Sequence, residues 1–322
     1  MLMSTWIGVD LGGTNLRAAI TDEKGQLLHV AKADTLSHLG PLAVLARVAD
    51  AVKSLPGWES AMGLGMGIPG GVMRDGQTPV LATNLKDFDG FPVRDYLSRL
   101  LCKPVAVEND ANMACLAEAL LGAGQGLSTV VYVTVSTGIG GGICINGRLL
   151  KGLHGCAGEF GSMSCDPGRT ALDGLPQGAI ESEASGDSLV RKAEAALHLT
   201  FAHAGEVYDL AAAGHMGAAA IVDQAAHDLA VTLANIACVL DPDVFILGGG
   251  CLKSADVLLP RLIAAYKAFA HPVFRDIPIR KAALEEPGLT GAAMYARENA
   301  VICGKGTFLK KGPLPAPIPE KL

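Results

Sequence analysis

The chain has 322 residues, enough for two globular domains, and half of its residues are hydrophobic while only 5% are aromatic. Its formal net charge of −6 argues against a nucleic-acid-binding protein, because a basic surface supplies most of the affinity for phosphate backbones. No long uninterrupted apolar run and no basic N-terminal segment occur in the sequence, so we expect neither a membrane span nor a signal peptide.

The eight cysteines form no CxxC pair and no regularly spaced framework. Most of them lie in apolar stretches, where cysteine acts as a small core residue. A reducing compartment suits this usage better than a secreted, disulfide-bonded fold. We therefore expect a cytoplasmic protein.

The first half of the chain predicts three strands followed by alternating helices and strands. A glycine turn separates the first two strands, and a polar turn separates the second from the third. Pro41 suits the first turn of the helix that comes next. The predicted strands cover residues 6–11, 16–21, 27–33, 61–68 and 104–107, and the predicted helices cover residues 41–55, 91–101 and 110–121.

The second half repeats this order of elements. Its predicted strands cover residues 129–136, 143–146, 244–247 and 277–283, with glycine turns at 138–142 and 248–250, and its predicted helices cover residues 215–240, 257–270 and 290–302. Pro278 favours an edge position for the last strand, because proline cannot donate a hydrogen bond to a neighbouring strand.

The order βββαβα thus occurs twice, which predicts an α/β protein with two domains, each built on a mixed sheet flanked by helices. We expect a small N-terminal domain at residues 1–122, joined by the C-terminal helix at about 290–303, and a large domain at 123–289. The proline-rich tail, residues 304–322, is expected to be an irregular strap or disordered.

Asp110 is the most informative single residue, because it follows a short apolar strand and opens an alanine-rich helix. Glycine turns at residues 10–14 and 136–142 flank it in sequence. A carboxylate at a strand end, between two turns suited to phosphate, predicts a base that deprotonates a hydroxyl beside a nucleotide. That is the chemistry of a kinase.

The two glycine turns are suited to phosphate because glycine adopts positive φ and leaves backbone N–H groups without a Cβ in the way. Thr14 and Thr137 add hydroxyl groups, and Asp10 offers a carboxylate that could hold Mg²⁺ directly or through water. Either motif alone is equally consistent with an ordinary hairpin turn. Their matching places in the two halves favour the phosphate-binding interpretation.

A second glycine motif, GxGxxG at residues 65–70, suggests a dinucleotide site, with Asp87 as the ribose carboxylate. Such a site requires a helix to begin at the motif. The chain instead continues through residues 71–76 as a turn and hairpin, so the dinucleotide interpretation is weak.

Seven stretches, in this order, resemble the ROK family (repressors, open reading frames and sugar kinases) over residues 8–297. They are VDLGGTNLRAAI, GMGIPGGV, VENDANMACLAE, VTVSTGIGGGI, GCAGEFGSM, IESEASG and PDVFILGGG. The resemblance implies the two-domain actin-like or ribonuclease H-like ATPase fold, with domains that close over a sugar and ATP with Mg²⁺. It also implies a homodimer.

The resemblance further implies a role for each residue of the site. Asp110 matches the catalytic base, and the expected sugar-binding residues are Gly70, Asn84, Asn109, Asp110, Glu159 and Glu181. The expected residues for ATP and its phosphates are Asp10, Gly12, Gly13, Thr14, Asn15, Thr137, Gly138, Gly248, Gly249 and Gly250. From the residues alone, Asp110 is also a plausible helix N-cap, and Glu159 and Glu181 are plausible solvated loop carboxylates.

The chain departs from the family at its zinc site. Many members hold zinc with a histidine after GEFG or GEIG and three cysteines in a CxCGxxGC run. Those four positions are here Ser162, Leu172, Gly174 and Ala179, and none of these residues can replace the ligands. We predict no zinc, and we expect Ser162 to widen the sugar pocket or change its preferred epimer. His154 is the conceivable substitute for the missing histidine.

The function implied by these residues is phosphorylation of a hexose by ATP, most simply of glucose. N-acetylglucosamine kinase, N-acetylmannosamine kinase and fructokinase are alternatives of the same class. A sugar-responsive repressor is a poor alternative, since the charge is acidic and Asp10 comes too early for a preceding DNA-binding domain. A catalytically silent sugar-binding protein is the remaining alternative.

Overall fold

The computed structural model describes residues 4–76, 78–82, 84–172 and 174–303, the last four of these by backbone alone. The predicted tail, residues 304–322, lies outside the described residues. The strands are β1 (Trp6–Leu11), β2 (Asn15–Thr21), β3 (Leu27–Asp34), β4 (Leu64–Ile68), β5 (Gly71–Val72), β6 (Pro79–Val80), β7 (Val105–Asn109), β8 (Thr129–Val135), β9 (Ile139–Ile145), β10 (Arg148–Leu149), β11 (Val244–Gly248) and β12 (Ile279–Lys281).

Helices follow the strands in the order that the sequence predicts, with additional helices in the second half. They are α1 (Gly40–Lys53), α2 (Val93–Leu101), α3 (Asp110–Leu120), α4 (Ile180–Ala184), α5 (Gly186–Leu197), α6 (Ala204–Ala212), α7 (Met216–Leu240), α8 (Ala255–Phe269) and α9 (Pro287–Cys303). None of the helices in the described part of the chain has the length and apolar character to cross a membrane.

Two five-stranded sheets have the same construction. The first has the order β3-β2-β1-β4-β7 and the second has the order β10-β9-β8-β11-β12. In each sheet, the three strands that come first in sequence pair antiparallel with one another. The two strands that follow in sequence run parallel to the first strand of that sheet. The predicted α/β class with duplicated mixed sheets is confirmed, and β12 forms a sheet edge.

The chain divides into two compact units. Unit 1 consists of the described parts of Met1–Ala117, Lys151–Ala157 and Glu285–Leu322, and it contains the first sheet. Unit 2 consists of Glu118–Leu150 and Gly158–Leu284, and it contains the second sheet. Each unit has its own cluster of buried hydrophobic side chains.

Close approach of α9 to the first sheet explains two of the glycines in unit 1. A Cβ on Gly8 of β1 would overlap the Leu289 carbonyl, and one on Gly65 of β4 would overlap the Ala292 carbonyl. Helix backbone therefore lies directly on the strands, which only glycine permits. The GxGxxG motif begins inside β4 and is followed by the β5–β6 hairpin, so its first glycine serves packing rather than a dinucleotide.

Two features of unit 2 differ from the predictions. The strand predicted at 143–146 begins earlier, because the glycines at 140–142 lie within β9 rather than in a turn. A Cβ on Gly141 would overlap the Phe160 ring, so the glycine accommodates a packed aromatic side chain. Helices α4 to α6 were not predicted: α4 and α6 are short, at five and nine residues, whereas α5 has a clear amphipathic pattern that the prediction missed.

Candidate active site

The carboxyl ends of the parallel strands in unit 1 bring several predicted site residues to one edge of the sheet. Asp10 of β1 pairs in register with Gly67 of β4, and Gly67 pairs with Glu108 of β7. Asn109 ends β7 and Asp110 begins α3. Ligands of open α/β sheets bind outside the carboxyl ends of the strands, so Asp10 and Asp110 lie at the edge where such a ligand is expected.

Asn109 performs the capping role that was considered for Asp110. Its Oδ1 accepts a hydrogen bond from the Asn112 backbone N–H at 2.9 Å, which is the geometry of a helix N-cap. Its Nδ2 donates to the Gly70 carbonyl at 3.0 Å. Gly70 has φ of +80°, a conformation that favours glycine. Asn109 thus joins β7, α3 and the segment after β4.

Asp110 occupies the first position of α3 and is partly buried. Its Oδ1 accepts a hydrogen bond from the Ala111 backbone N–H at 2.7 Å. The positive end of the helix dipole stabilises a carboxylate at this position. The local structure therefore holds the Asp110 carboxyl group in a defined orientation at the strand edge.

A charge network around the buried carboxylate of Glu108 adjoins Asn109 and was not predicted from the sequence. Glu108 is fully buried, and its Oε2 lies 2.7 Å from Lys151 Nζ. Its Oε1 accepts from the Asn109 backbone N–H at 3.0 Å and from Asn112 Nδ2 at 3.2 Å. The available signal was an acidic residue inside an apolar strand, since a buried carboxylate requires partners.

Tyr295 of α9 completes the network. Lys151 Nζ donates to the Tyr295 hydroxyl at 2.5 Å, and that hydroxyl lies 3.4 Å from Glu108 Oε2. Burial lowers the pKa of Lys151, but the Glu108 carboxylate and Tyr295 outweigh it, so the pKa lies above its ordinary value. Lys151 therefore remains a cation, and the network ties segment 151–157 and α9 to the end of β7.

The glycine turn of unit 1 is a closed hairpin beside Asn84. The Gly12 N–H donates to the Asn15 carbonyl at 2.9 Å, and the Thr35 hydroxyl donates to the Gly12 carbonyl at 2.7 Å. Gly13 leaves room for the neighbouring chain, since a Cβ there would lie 3.0 Å from the Asn84 carbonyl oxygen. Thr14, Asn15 and Asn84 are exposed and available to a ligand.

Asp10 is paired with a cation within unit 1. The Arg17 guanidinium donates to the carboxylates of both Asp10 and Glu286. In the described part of the chain, no group of three or more histidine, cysteine, aspartate or glutamate side chains forms a metal cluster. Asp10 fits a magnesium ion of the type that is held by one carboxylate, water and substrate phosphates rather than by a protein cage.

The glycine turn of unit 2 is anchored by the start of α5. The Gly186 N–H donates to the Ser136 carbonyl at 2.7 Å, and the Asp187 N–H donates to the Thr137 carbonyl at 3.3 Å. Gly138 lies against the Glu181 carboxylate, since a Cβ on Gly138 would come within 2.5 Å of its Oε2. The turn and one predicted sugar carboxylate are therefore neighbours.

The two predicted sugar carboxylates interact electrostatically. Glu181 Oε2 accepts a hydrogen bond from the Ile139 backbone N–H at 2.7 Å. Glu159 precedes a short 3₁₀ turn, Phe160–Ser162, and burial together with the negative charge of Glu181 raises its pKa above the ordinary range. Glu159 is therefore a partly buried carboxyl group rather than a solvated loop carboxylate. Ser162, at the end of the 3₁₀ turn, is exposed.

The last glycine stretch lies beside the same turn. Gly249 has φ of +90°, and a Cβ on it would lie 2.5 Å from the Val135 carbonyl oxygen. A Cβ on Gly250 would lie 3.3 Å from Ser136 Oγ. Gly248 ends β11, parallel to β8, so the two glycine stretches of unit 2 meet at the carboxyl ends of adjacent strands.

The predicted site residues are divided between the two units. Unit 1 contains Asp10, Gly12, Gly13, Thr14, Asn15, Gly70, Asn84, Asn109 and Asp110, and unit 2 contains Thr137, Gly138, Glu159, Glu181, Gly248, Gly249 and Gly250. His154 is exposed and belongs to unit 1, whereas Ser162 belongs to unit 2.

Comparison with known proteins gives consistent similarities along the chain. A model of the ROK family matches residues 6–299. A glucokinase from Halalkalibacterium halodurans is 32% identical over 94% of this chain and 97% of its own length. An N-acetylmannosamine kinase from Yersinia pseudotuberculosis is 30% identical over 92% of this chain and 100% of its own length.

Solved structures show the same similarity. The ROK hexokinase from Thermus thermophilus has a TM-score of 0.83 and 33% identity, covering 92% of this chain and 99% of that one. A ROK family glucokinase from Streptomyces griseus, in complex with glucose and AMPPNP, has a TM-score of 0.79 and 30% identity, covering 92% of this chain and 100% of that one.

Proposed function

This chain belongs to the ROK family and is an ATP-dependent sugar kinase, and we propose that its substrate is glucose, phosphorylated at the 6-hydroxyl. The observation that carries the kinase chemistry is the Asn109–Asp110 pair at the end of β7. The choice of glucose rests on the similarity to glucokinases, one of which was solved with glucose and AMPPNP.

In the proposed reaction, Asp110 accepts the proton of the attacking sugar hydroxyl. The bond between that oxygen and the γ-phosphorus forms while the bond from this phosphorus to the ADP oxygen breaks. A base in this position contributes roughly 10²–10⁴-fold to the rate. The cap at Asn109 and the dipole of α3 support this role, because the cap fixes the start of the helix that carries Asp110 and the dipole favours negative charge there.

Asn109, Gly70 and Asn84 of unit 1, with Glu159 and Glu181 of unit 2, are the proposed sugar-binding residues. Sugar hydroxyls both donate and accept hydrogen bonds, so amides and carboxylates suit them. The raised pKa of Glu159 supports this assignment, because a carboxyl group that is buried beside a second one is typical of a functional site.

The glycine turns of both units are the proposed nucleotide-binding elements, with Gly248–Gly250 near the adenosine. Asp10 would hold Mg²⁺, directly or through water, and a bound Mg²⁺ would neutralise charge on the phosphates. Arg17 pairs with Asp10, so its guanidinium would stabilise the carboxylate while the metal is absent.

We also propose that unit 1 is the small domain of the enzyme and unit 2 is the large domain. We further propose that the enzyme is a homodimer and is cytoplasmic. The sequence resemblance to the family supports these assignments. Light scattering coupled to size-exclusion chromatography tests the dimer.

A sugar panel tests the function directly. Purified protein with ATP and Mg²⁺ would be assayed for ADP release with glucose, mannose, fructose, N-acetylglucosamine and N-acetylmannosamine. We expect the highest kcat/KM with glucose. A higher kcat/KM with N-acetylmannosamine would instead support the second candidate, which the Yersinia relative favours. Sugar binding without turnover on any of the five would support a silent binding protein.

A further inference from the structure

A connecting loop, residues 163–179, joins the two proposed sugar carboxylates of unit 2. It leaves the 3₁₀ turn after Glu159 and ends at α4, which carries Glu181. Its two ends pair with each other: the Ile180 N–H donates to the Met163 carbonyl at 2.8 Å, and the Cys165 N–H donates to the Gly178 carbonyl at 2.9 Å. The position of this loop therefore affects both carboxylates.

The connecting loop does not fit the zinc ion that many family members hold there. The four positions expected to carry ligands are Ser162, Leu172, Gly174 and Ala179. The nearest thiol, Cys165, donates a hydrogen bond to the Gly178 carbonyl at 3.3 Å, and burial raises its pKa to about 11. Zinc binds thiolates, so this thiol is not prepared for a metal.

An arginine occupies the centre of the connecting loop instead. Arg169 contacts both carboxylate oxygens of Asp228 on α7, with Nη1–Oδ2 at 2.6 Å and Nη2–Oδ1 at 3.0 Å. The same Nη1 lies 2.8 Å from Glu183 Oε2 on α4. Its Nε lies 3.2 Å from Asp166 Oδ2 within the loop. One guanidinium thus joins the loop to two helices.

The two helical partners of Arg169 are buried and have further hydrogen-bond donors. Asp228 is 2% exposed and Glu183 is 5% exposed, so each carboxylate requires a cation and hydrogen bonds. Lys192 Nζ supplies a second cation to Glu183 at 2.6 Å, and Gln224 donates to Asp228 at 2.9 Å. A bidentate guanidinium pair has a fixed geometry that a single ammonium cannot reproduce.

We propose that Arg169 is a positioning residue that fastens the connecting loop to α4 and α7 by ion pairs, and thereby holds Glu159 and Glu181 in their sugar-binding arrangement without zinc. Glu181 and Glu183 are two residues apart on the five-residue helix α4, so a shift of Glu183 moves Glu181. The inference rests on the proposed sugar-binding role of these two carboxylates.

Three arginine variants test the role of Arg169 in catalysis. Arg169→Gln should raise the sugar KM about tenfold or more, while kcat and the ATP KM change less than about threefold. Arg169→Lys should restore part of the loss, since it keeps the charge but not the bidentate geometry. Arg261→Gln is the matched control, because it breaks an exposed pair with Asp223 in the same unit and should leave the sugar KM unchanged. A wild-type sugar KM in folded Arg169→Gln would overturn the proposal.

Hydrogen exchange tests the positioning role independently of activity. In the proposal, Arg169→Gln accelerates exchange of the Cys165 and Ile180 amides at least severalfold, whereas Arg261→Gln does not. Unchanged exchange of these amides would overturn the proposal even if the wild-type protein phosphorylates a sugar. Absence of any sugar kinase activity in the wild type, with accelerated exchange in Arg169→Gln, would instead refute the proposed function and leave the loop anchor intact. Should Arg169→Gln not fold, Arg169→Lys and Asp228→Asn would provide the same comparison.

Metal analysis of the purified wild-type protein completes the test. We expect far less than one zinc ion per chain and no change in sugar KM after treatment with a chelator. Stoichiometric zinc, with a sugar KM that rises when the zinc is removed, would overturn the proposal.

Discussion

The two sheets share one strand order but support their functional edges by different means. In unit 1, Asp110 comes two residues after Glu108, a fully buried carboxylate on a strand that pairs with one partly exposed cation, Lys151. In unit 2, the loop between Glu159 and Glu181 is held by one arginine that reaches two buried carboxylates on two different helices. The shared strand order therefore places candidate site residues at the same edge of each sheet, while different side chains support them in each unit.

The glycines of the two sheets show the same distinction. In unit 1, Gly8 and Gly65 admit a helix, α9, against β1 and β4. In unit 2, Gly141 of β9 admits the ring of Phe160, next to Glu159. Glycines inside equivalent sheets thus indicate close packing, but the packed partner differs between the units.

The largest expected effect comes from removing the base in unit 1. Asp110→Asn keeps the oxygen that accepts the Ala111 N–H but cannot accept the proton of a sugar hydroxyl. We expect kcat to fall roughly 10²–10⁴-fold, with the dissociation constant of the sugar nearly unchanged, as measured by steady-state kinetics and calorimetry.

Asp95→Asn is the matched control for this variant. Asp95 also lies in the first turn of a helix in unit 1, where it pairs with Arg94, so this change should leave kcat within about twofold. If Asp110→Asn behaved like Asp95→Asn, the assignment of the base to unit 1 would be wrong.

A smaller effect is expected from removing the ion pair between Glu108 and Lys151, which adjoins the proposed base in sequence. Glu108→Gln keeps the shape of the side chain but removes the charge that Lys151 contacts. Breaking a buried pair costs about 3–5 kcal/mol, and because Lys151 is partly exposed we expect a loss of about 2 kcal/mol in the free energy of unfolding. Urea-induced unfolding measures this loss.

The exposed pair between Arg261 and Asp223 in unit 2 provides the control, since Asp223→Asn should cost less than about 1 kcal/mol. Equal losses for Glu108→Gln and Asp223→Asn would mean that the buried network does not distinguish unit 1.

The smallest expected effect concerns the acidic pair of unit 2. Burial, and then the charge of Glu181, raise the pKa of Glu159, so Glu159 takes up its proton at a higher pH than an ordinary glutamate. As pH falls through that raised pKa, Glu159 loses its charge and a strong acceptor for a sugar hydroxyl. We expect the sugar KM to rise roughly threefold to tenfold over this interval, which corresponds to the difference of about 1 kcal/mol between a hydrogen bond to a charged acceptor and one to a neutral acceptor.

Stability has the opposite dependence on pH, because the folded state holds the proton of Glu159 more tightly than the unfolded state does. Rising pH through the same interval therefore lowers the stability of the wild type relative to Glu159→Gln. A wild-type sugar KM that does not vary with pH, or a Glu159→Gln variant that retains the variation, would contradict the assignment of this carboxyl group to sugar binding.

Local sequence predicted most of the elements and the fold class. Alternating apolar stretches predicted β1, β2 and β8, and the alanine-rich run after Asp110 predicted α3. One incorrect prediction was also local, because the glycines of β9 were interpreted as a turn. A glycine-rich strand that packs against Phe160 has the same composition as a loop. The roles of the individual site residues stay predictions.

The sequence alone determined the family of the chain, since the family motifs occur in a fixed order along the strands and turns and can be recognised from the residues themselves. Only the tertiary structure decided which distant side chains support the motifs. Asn109 rather than Asp110 caps α3, Lys151 neutralises Glu108 from 43 residues away in sequence, and Arg169 meets Asp228 on a helix 59 residues further on. Buried charges must find partners wherever folding brings opposite charges together, and that pairing has no period or spacing in the sequence.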